Sequence, residues 1–367
     1  MDNKDLKYYL GFSLIPQIGA KRGQKLLNFF GSMKNAWKAS FSDLTQAGIE
    51  KNVIDEVIRY RKEVDLDKEM EKVNNEGIRL LTIDSREYPK LLKEIYSPPF
   101  LLFMKGEVKK EDEYTVAVVG ARKNTDYGRQ ITSEICSFLV RNGIVIVSGL
   151  ANGIDGFAHQ AALDYKNGRT IAVMGCGIDE KTIYPANNQS LARRIVSGRG
   201  ALISEYPIQA PPLKQHFPSR NRIISGLSLG VLVVEATETS GSLITATHAL
   251  EQGRDVFAVP GSIYNKNTVG SHKLIKMGAK LVEKGEDVLE ELNLRSVSQK
   301  LEAKEIIPEN DQEKEVLEKL ELEPIHIDEL VKSTSIEVGE LSSLLMTMEM
   351  KGMIRDIGGG NYIVAKN

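Results

Sequence analysis

Apolar residues recur at helical spacing through the first part of the chain, in Leu6, Tyr9 and Leu10, then Leu26, Leu27 and Phe30, then Val53, Val57 and Ile58. A recurrence of three to four residues places one apolar stripe on a helix. Gly31-Ser32 and Gly48 punctuate these stripes, and residues 65–75 are charged with the same period. Residues 1–76 therefore predict a small helical domain that ends in a connecting helix. Near Gly77 the pattern changes. Short β-branched runs appear at Thr115–Val119, Ile144–Val147, Thr170–Met174, Ala201–Ser204, Val231–Val234 and Val256–Val259. They are almost continuously apolar, as in parallel strands buried on both faces. Helix-like segments separate them, which is the βαβ rhythm of a doubly wound sheet. The expected fold over residues 77–291 is α/β, a Rossmann-like doubly wound, mainly parallel sheet, with Arg79–Ile83 as an extension.

Residues 292–310 are polar without a clear period and predict a linker. Over residues 311–367, three helix-like segments (Asp311–Leu320, Ile327–Ser333, Val338–Lys351) precede two short runs, Met353–Ile357 and Tyr362–Val364, joined through Gly358-Gly-Gly360. Three helices followed by a hairpin is the order of a winged helix.

Composition changes this picture little. The 367 residues are enough for two or three domains, and 41% hydrophobic and 27% charged residues are ordinary for a globular protein. A formal net charge of −2 does not advertise a nucleic-acid binder, so any basic site must be local. Cys136 and Cys176 sit in apolar surroundings, which predicts reduced thiols in a cytoplasmic protein. No apolar run approaches the ~20 residues that span a bilayer, and the polar start does not resemble a signal peptide, so no membrane partner is expected.

Candidate chemistry collects at the strand ends, where open α/β sheets bind ligands. Five loops there carry glycine with small polar residues: Gly120-Ala-Arg122; Ser148-Gly149 with Gly153; Gly175-Cys-Gly177; Ser240-Gly241-Ser242 with Thr245; and Pro260-Gly-Ser262. Glycine lets backbone approach a ligand closely, and helix N-termini favour phosphate. Glycine also ends strands in any tight turn, but five such loops at one sheet edge predict a phosphate-bearing ligand. The chain lacks the G-x-G-x-x-G fingerprint with its acidic partner and the P-loop motif. No cofactor is expected, and no His/Cys cluster has metal-ligand spacing. Positive charge is supplied by Arg122, Lys181, Arg220 and Arg222, with Asn221 between the last two and Phe217 and Tyr184 available for stacking. The alternative for Arg220 and Arg222 is a structural ion pair with Glu205 or Glu235.

These motifs occur in a recognisable order. Val118-Val-Gly-Ala-Arg122, Ser148–Asp155 with Ala158-His159, Tyr184-Pro185, Phe217–Ser225, Ser240–Ala246 and Val259–Ser262 together resemble the DNA-processing protein A (DprA/Smf) family. The resemblance implies a Rossmann-like domain flanked by an N-terminal helical (SAM/helix-hairpin-helix-like) domain and a C-terminal winged helix. It implies a protein that binds and protects single-stranded DNA and helps load the RecA recombinase in natural transformation. It further implies Arg122 in the DNA pocket, a lysine after the third strand (Lys181 is the candidate), and a homodimer through the Rossmann-like domain.

Three features stand apart from that reading. Ile15-Pro-Gln-Ile-Gly19 with Ala20-Lys-Arg-Gly23 resembles a helix-hairpin-helix turn, with Gln17 where the motif has glycine; a plain helix-helix turn is the other reading. Residues 311–367 carry six basic and twelve acidic side chains, unlike a helix that faces a phosphate field. Ser240–Thr245 is also in the style of the phosphoribohydrolase loop, which keeps a nucleotide-binding enzyme as the alternative. That alternative lacks its glutamate, since His248 stands there, and it leaves Asp155, Glu205 and Glu235 as unpaired candidate carboxylates. His159 and His248 are expected to pack or cap. No catalytic residue is assigned.

Overall fold

A computed structural model describes residues 5–294, 310–320, 324–351 and 353–364. Two compact units result, Met1–Val288 and Leu289–Asn367. The first opens with six helices: α1 (Leu6–Ser13), α2 (Ala20–Phe30), α3 (Met33–Lys38), α4 (Phe41–Gln46), α5 (Lys51–Glu63) and α6 (Leu66–Asn75). Polar caps explain why they are separate. Ser32 accepts the Asn35 amide at the start of α3, Ser40 and Asp43 form a reciprocal capping box on α4, and Asp65 caps α6.

The chain continues through β1 (Arg79–Thr82), α7 (Lys90–Lys93), β2 (Leu101–Gly106), β3 (Thr115–Val119), α8 (Asp126–Arg141), β4 (Val145–Ser148), α9 (Ile154–Asp164), β5 (Thr170–Met174) and α10 (Gln189–Val196). It then runs through β6 (Gly200–Ser204), α11 (His216–Gly226), β7 (Gly230–Val233), α12 (Gly241–Glu251), β8 (Asp255–Ala258), α13 (Val269–Lys276), β9 (Lys280–Leu281) and α14 (Gly285–Glu291). The sheet has nine strands in the order β1-β2-β6-β5-β4-β3-β7-β8-β9. Strands β6 to β9 of that order are parallel, and the β1-β2 hairpin joins β6 antiparallel. This is the Rossmann-like, mainly parallel sheet that the apolar runs predict. Neither β2 nor β9 is legible as a ladder strand in the sequence. The first follows only the four-residue α7 and Pro98-Pro99 and pairs antiparallel, outside the βαβ rhythm, and the second is two residues long.

Successive strand residues face opposite sides, as the pleat requires. Leu101, Phe103, Ala172, Met174 and Leu202 enter one core; Leu102, Met104, Ile171, Val173, Ala201 and Ile203 enter the other. The N-terminal helices supply Tyr9, Phe12, Ile15 and Leu26 to the first core, so helices and sheet share it. Helix α2 lies close against Phe100, because a Cβ on Gly23 would come within 2.2 Å of that ring.

The second unit holds α15 (Asp311–Lys319), β10 (Ile325–His326), α16 (Ile327–Ser333), α17 (Val338–Met350), β11 (Ile354–Asp356) and β12 (Asn361–Val364). Its strands pair in the order β10-β12-β11, over a core that includes Val316, Leu330, Leu341, Leu345 and Ile354. This is a winged helix. Gly358, Gly359 and Gly360 all take positive φ in the hairpin turn. Most of the expected linker, residues 295–309, lies outside the described residues.

Candidate functional site

From β3 the chain winds outward through β4, β5 and β6, then returns to β7 on the other side of β3. The crevice beyond the carboxyl ends of β3 and β7 is thus the topological switch point, where a doubly wound sheet binds its ligand. A cavity of about 670 Å³ occupies this place. Gly120 and Arg122 after β3, Phe217, Arg220 and Asn221 on α11, and Ser240, Gly241, Ser242 and Thr245 at the start of α12 line it. These nine sequence-predicted residues, from three separated segments, meet in one cleft.

Within the cleft, Arg122 is exposed and lies over the Phe217 ring, 5.7 Å from its centroid. The Tyr184 ring, 46% exposed, stands 5.9 Å from that of Phe217. Lys214 and Ile244 complete the rim. At α12 the Ser240 side chain accepts the Ser242 amide, and Asn221 donates to the Gly241 carbonyl. The wall therefore offers an exposed cation, two aromatic faces, hydroxyls and a helix N-terminus. Among the described residues, its one acidic lining residue is Asp155. Lys214 escaped the sequence reading. It stands alone in the 211–215 stretch, without the glycine-rich context that marks the other loops.

Arg220 plays a different part from Arg122. It is 4% exposed, donates to the carbonyls of Gly149 and Val173, and sits beside Asp155. Asp155 in turn accepts the amides of Gly149 at 3.1 Å and Ala151 at 3.4 Å. Burial pushes the Asp155 carboxyl up from its ordinary range, opposed by Arg220 and those amides. Arg220 thus ties the ends of β4 and β5 to α11. A Cβ on Gly149 would come within 2.6 Å of its guanidinium, and one on Gly153, at φ 81, within 2.3 Å of the Ala121 carbonyl. Both glycines shape the loop from behind.

Several predicted residues do not reach the cleft. Arg222 turns away and pairs with Glu205 at 2.5 Å, both largely buried, because one step along α11 swings a side chain about 100°. Ser148 is buried and donates to the Val118 carbonyl at 2.6 Å. Gly175 makes room for Phe217, and Gly177 for Asp179 and Thr182. Lys181 is exposed in its loop but is not part of the cleft wall.

The candidate acid-base groups are engaged elsewhere. Glu235 is buried and accepts the Thr125 amide and hydroxyl, anchoring the start of α8. His159 is buried against Thr170 at 2.7 Å, and burial with the nearby Arg220 charge pushes its imidazole down to about 3. His248 contacts Glu251 on its own helix. Among the described residues no group of His, Cys, Asp and Glu is arranged to hold a metal ion, and no helix is long and apolar enough to cross a membrane. Both cysteines are free and buried; burial pushes the Cys176 thiol up to about 11.

Comparison with known proteins identifies the family and the fold. Residues 79–293 match the family described as DNA recombination-mediator protein A, and residues 301–360 match the DprA winged helix domain. Protein Smf of Synechocystis sp. is 33% identical over 99% of both chains. DNA processing protein DprA of Bacillus subtilis is 48% identical over 60% of this chain and 74% of its own. The crystal structure of DNA processing protein A from Streptococcus pneumoniae superposes with a TM-score of 0.68 at 38% identity, covering 78% of this chain and 97% of the other. A solved structure of DNA processing protein A from Helicobacter pylori, concerned with its single-stranded DNA binding mode, gives 0.52 at 30% identity over 59% of this chain and 95% of the other.

Proposed function

Because this chain belongs to the DNA recombination-mediator protein A family, we propose that its switch-point cleft binds single-stranded DNA. The observation that carries this is the pairing of an exposed cation with two aromatic rings: Arg122 over half-buried Phe217, with exposed Tyr184 alongside. Arg122, Lys214 and the α12 N-terminus address phosphate, and the rings accept any base by stacking. The described binding mode of the Helicobacter pylori relative supports the same ligand. Recognition of backbone and ring faces carries no sequence code, so binding is largely independent of base sequence.

The protein acts in the cytoplasm, where it protects incoming strands in natural transformation and helps load the RecA recombinase onto them. We assign it no catalytic residue. It pairs through the Rossmann-like body, since exposed Ile263, Tyr264, Met277 and Leu281 fall in the segment that carries the edge strand β9. Two linked clefts raise the effective concentration for a long strand. The winged helix contacts protein: on α17, Val338, Met346 and Met350 are exposed on one i, i+4 row, and the helix carries glutamates and no base. Removing residues 295–367 then leaves strand affinity unchanged, and a large loss of duplex binding on that removal contradicts this role. Anisotropy titration with unstructured single strands and matched duplex tests the main proposal. Tight, base-tolerant single-strand binding is expected; preference for duplex overturns it.

A further inference from the structure

The turn between α1 and α2 is not absorbed by the cleft. Ile18 donates to the Ile15 carbonyl at 2.8 Å, and Gly19 opens α2 without a side-chain cap. Arg22 donates to the Gln17 carbonyl at 2.8 Å and pairs with Glu50 at 2.9 Å, so the position where a helix-hairpin-helix has glycine is braced instead by this arginine. Glu50 is held down to about 2 by that contact. Arg22 is thereby spoken for; Lys21 and Lys25 are exposed on α2, the Lys25 ammonium donating one bond to the Gly48 carbonyl at 2.7 Å and keeping its other donors outward.

Beside them stands Tyr96, 87% exposed, with the Lys21 ammonium 4.9 Å from its ring centroid. Lys21, Lys25, Asn28 and Tyr96 line one groove of about 640 Å³, in which Glu50 is the acidic member and is already neutralised by Arg22. An aromatic left this open, with a cation over it and a second one four residues along the helix, repeats on a smaller scale the chemistry of Arg122 and Phe217. A second cavity, of about 760 Å³, shares Lys21 and Arg22 with this groove and runs to Leu213, His216 and Ser219. Those residues alternate with Pro212, Lys214 and Phe217 of the switch-point cleft. The 211–219 segment is therefore a partition with the cleft on one side and the α1–α2 turn on the other.

We propose that the Lys21–Lys25–Tyr96 groove is a second contact surface for the same single strand, engaged by the nucleotides that leave the cleft across this partition. The inference rests on the cleft reading and extends it. Charge complementarity selects a phosphate backbone, and the exposed ring selects a base over an acidic peptide, which would need only the lysines. Short strands fill the cleft alone; long strands reach both surfaces.

The test compares oligothymidylate of about six and about thirty nucleotides, lengths that bracket typical single-strand site sizes. The full chain is titrated as wild type, Lys21→Gln/Lys25→Gln, Tyr96→Ala and Arg122→Ala. The lysine pair is expected to weaken the long strand about tenfold, to reduce its salt slope by about 1.4, and to leave the short strand unchanged. Unchanged short-strand binding also reports an intact fold. Tyr96→Ala follows the same pattern with the slope retained. Equal loss at both lengths, or no loss at either, overturns the second surface. If Arg122→Ala weakens both lengths while the groove variants are inert, this inference falls and the cleft stands. A wild type that binds neither length overturns the cleft reading and this one with it.

Discussion

The guanidinium carbon of Arg122 lies 5.7 Å from the centroid of the Phe217 ring, so the exposed cation at the end of β3 and the aromatic at the start of α11 form one surface. The ring packs on Gly175 and lines the cavity, and the cation has no carboxylate partner among the described residues. A base can stack on the Phe217 face in place of the guanidinium, or on the exposed face of Tyr184.

Phe217→Ala is therefore expected to cost about 1–3 kcal/mol in single-strand affinity, and Tyr184→Ala a similar amount. Because the rings carry no charge, the salt dependence stays as in the wild type. Titration at two salt concentrations checks both statements; a changed slope would mean that the rings act by positioning cations.

Arg220 belongs to the scaffold of the site. Arg220→Met removes a positive charge near buried Asp155 and the side-chain donor to the Gly149 and Val173 carbonyls. Leaving buried acceptors short of a donor costs about 1–3 kcal/mol. Thermal unfolding should show a large fall in the midpoint. Gly149→Ala pushes on the same guanidinium and should destabilise in the same direction. A variant that keeps its stability and loses only DNA would instead place Arg220 among the ligand contacts.

His159 supplies a pH dependence. Its imidazole titrates at about 3 in the folded protein against an ordinary 6.5. Between these values the unfolded chain binds a proton that the native state excludes, so the stability is full above pH 6.5 and falls as pH drops towards 3. One proton gives a slope of about 1.4 kcal/mol per pH unit in that window. Denaturant unfolding at several pH values should show this slope reduced by one proton in His159→Gln. An unchanged slope would assign the acid sensitivity to other groups.

The sheet was legible because parallel strands buried on both faces spell continuous apolar runs, and Thr115–Val119 and Thr170–Met174 are found where those runs lie. The cleft was legible as far as its backbone, through Gly120 and Ser240–Thr245. What the runs do not encode is which way neighbouring side chains of α11 point. Arg220 and Arg222 look equivalent in the sequence, yet one is buried beneath the cleft and the other pairs with Glu205 on its far side. Lys214 shows the converse: its place on the rim comes from the path of the 205–216 loop, which no local pattern specifies.

The central claim is that Arg122 contacts the phosphate backbone of single-stranded DNA. Its most direct test is the affinity of wild type and Arg122→Ala for an unstructured strand, measured across a range of salt. The account predicts weaker binding by the variant for all base sequences, with the slope of log K against log salt reduced by about 0.7, one phosphate contact. Equal affinity and equal slope would remove Arg122 from the interface and contradict the account.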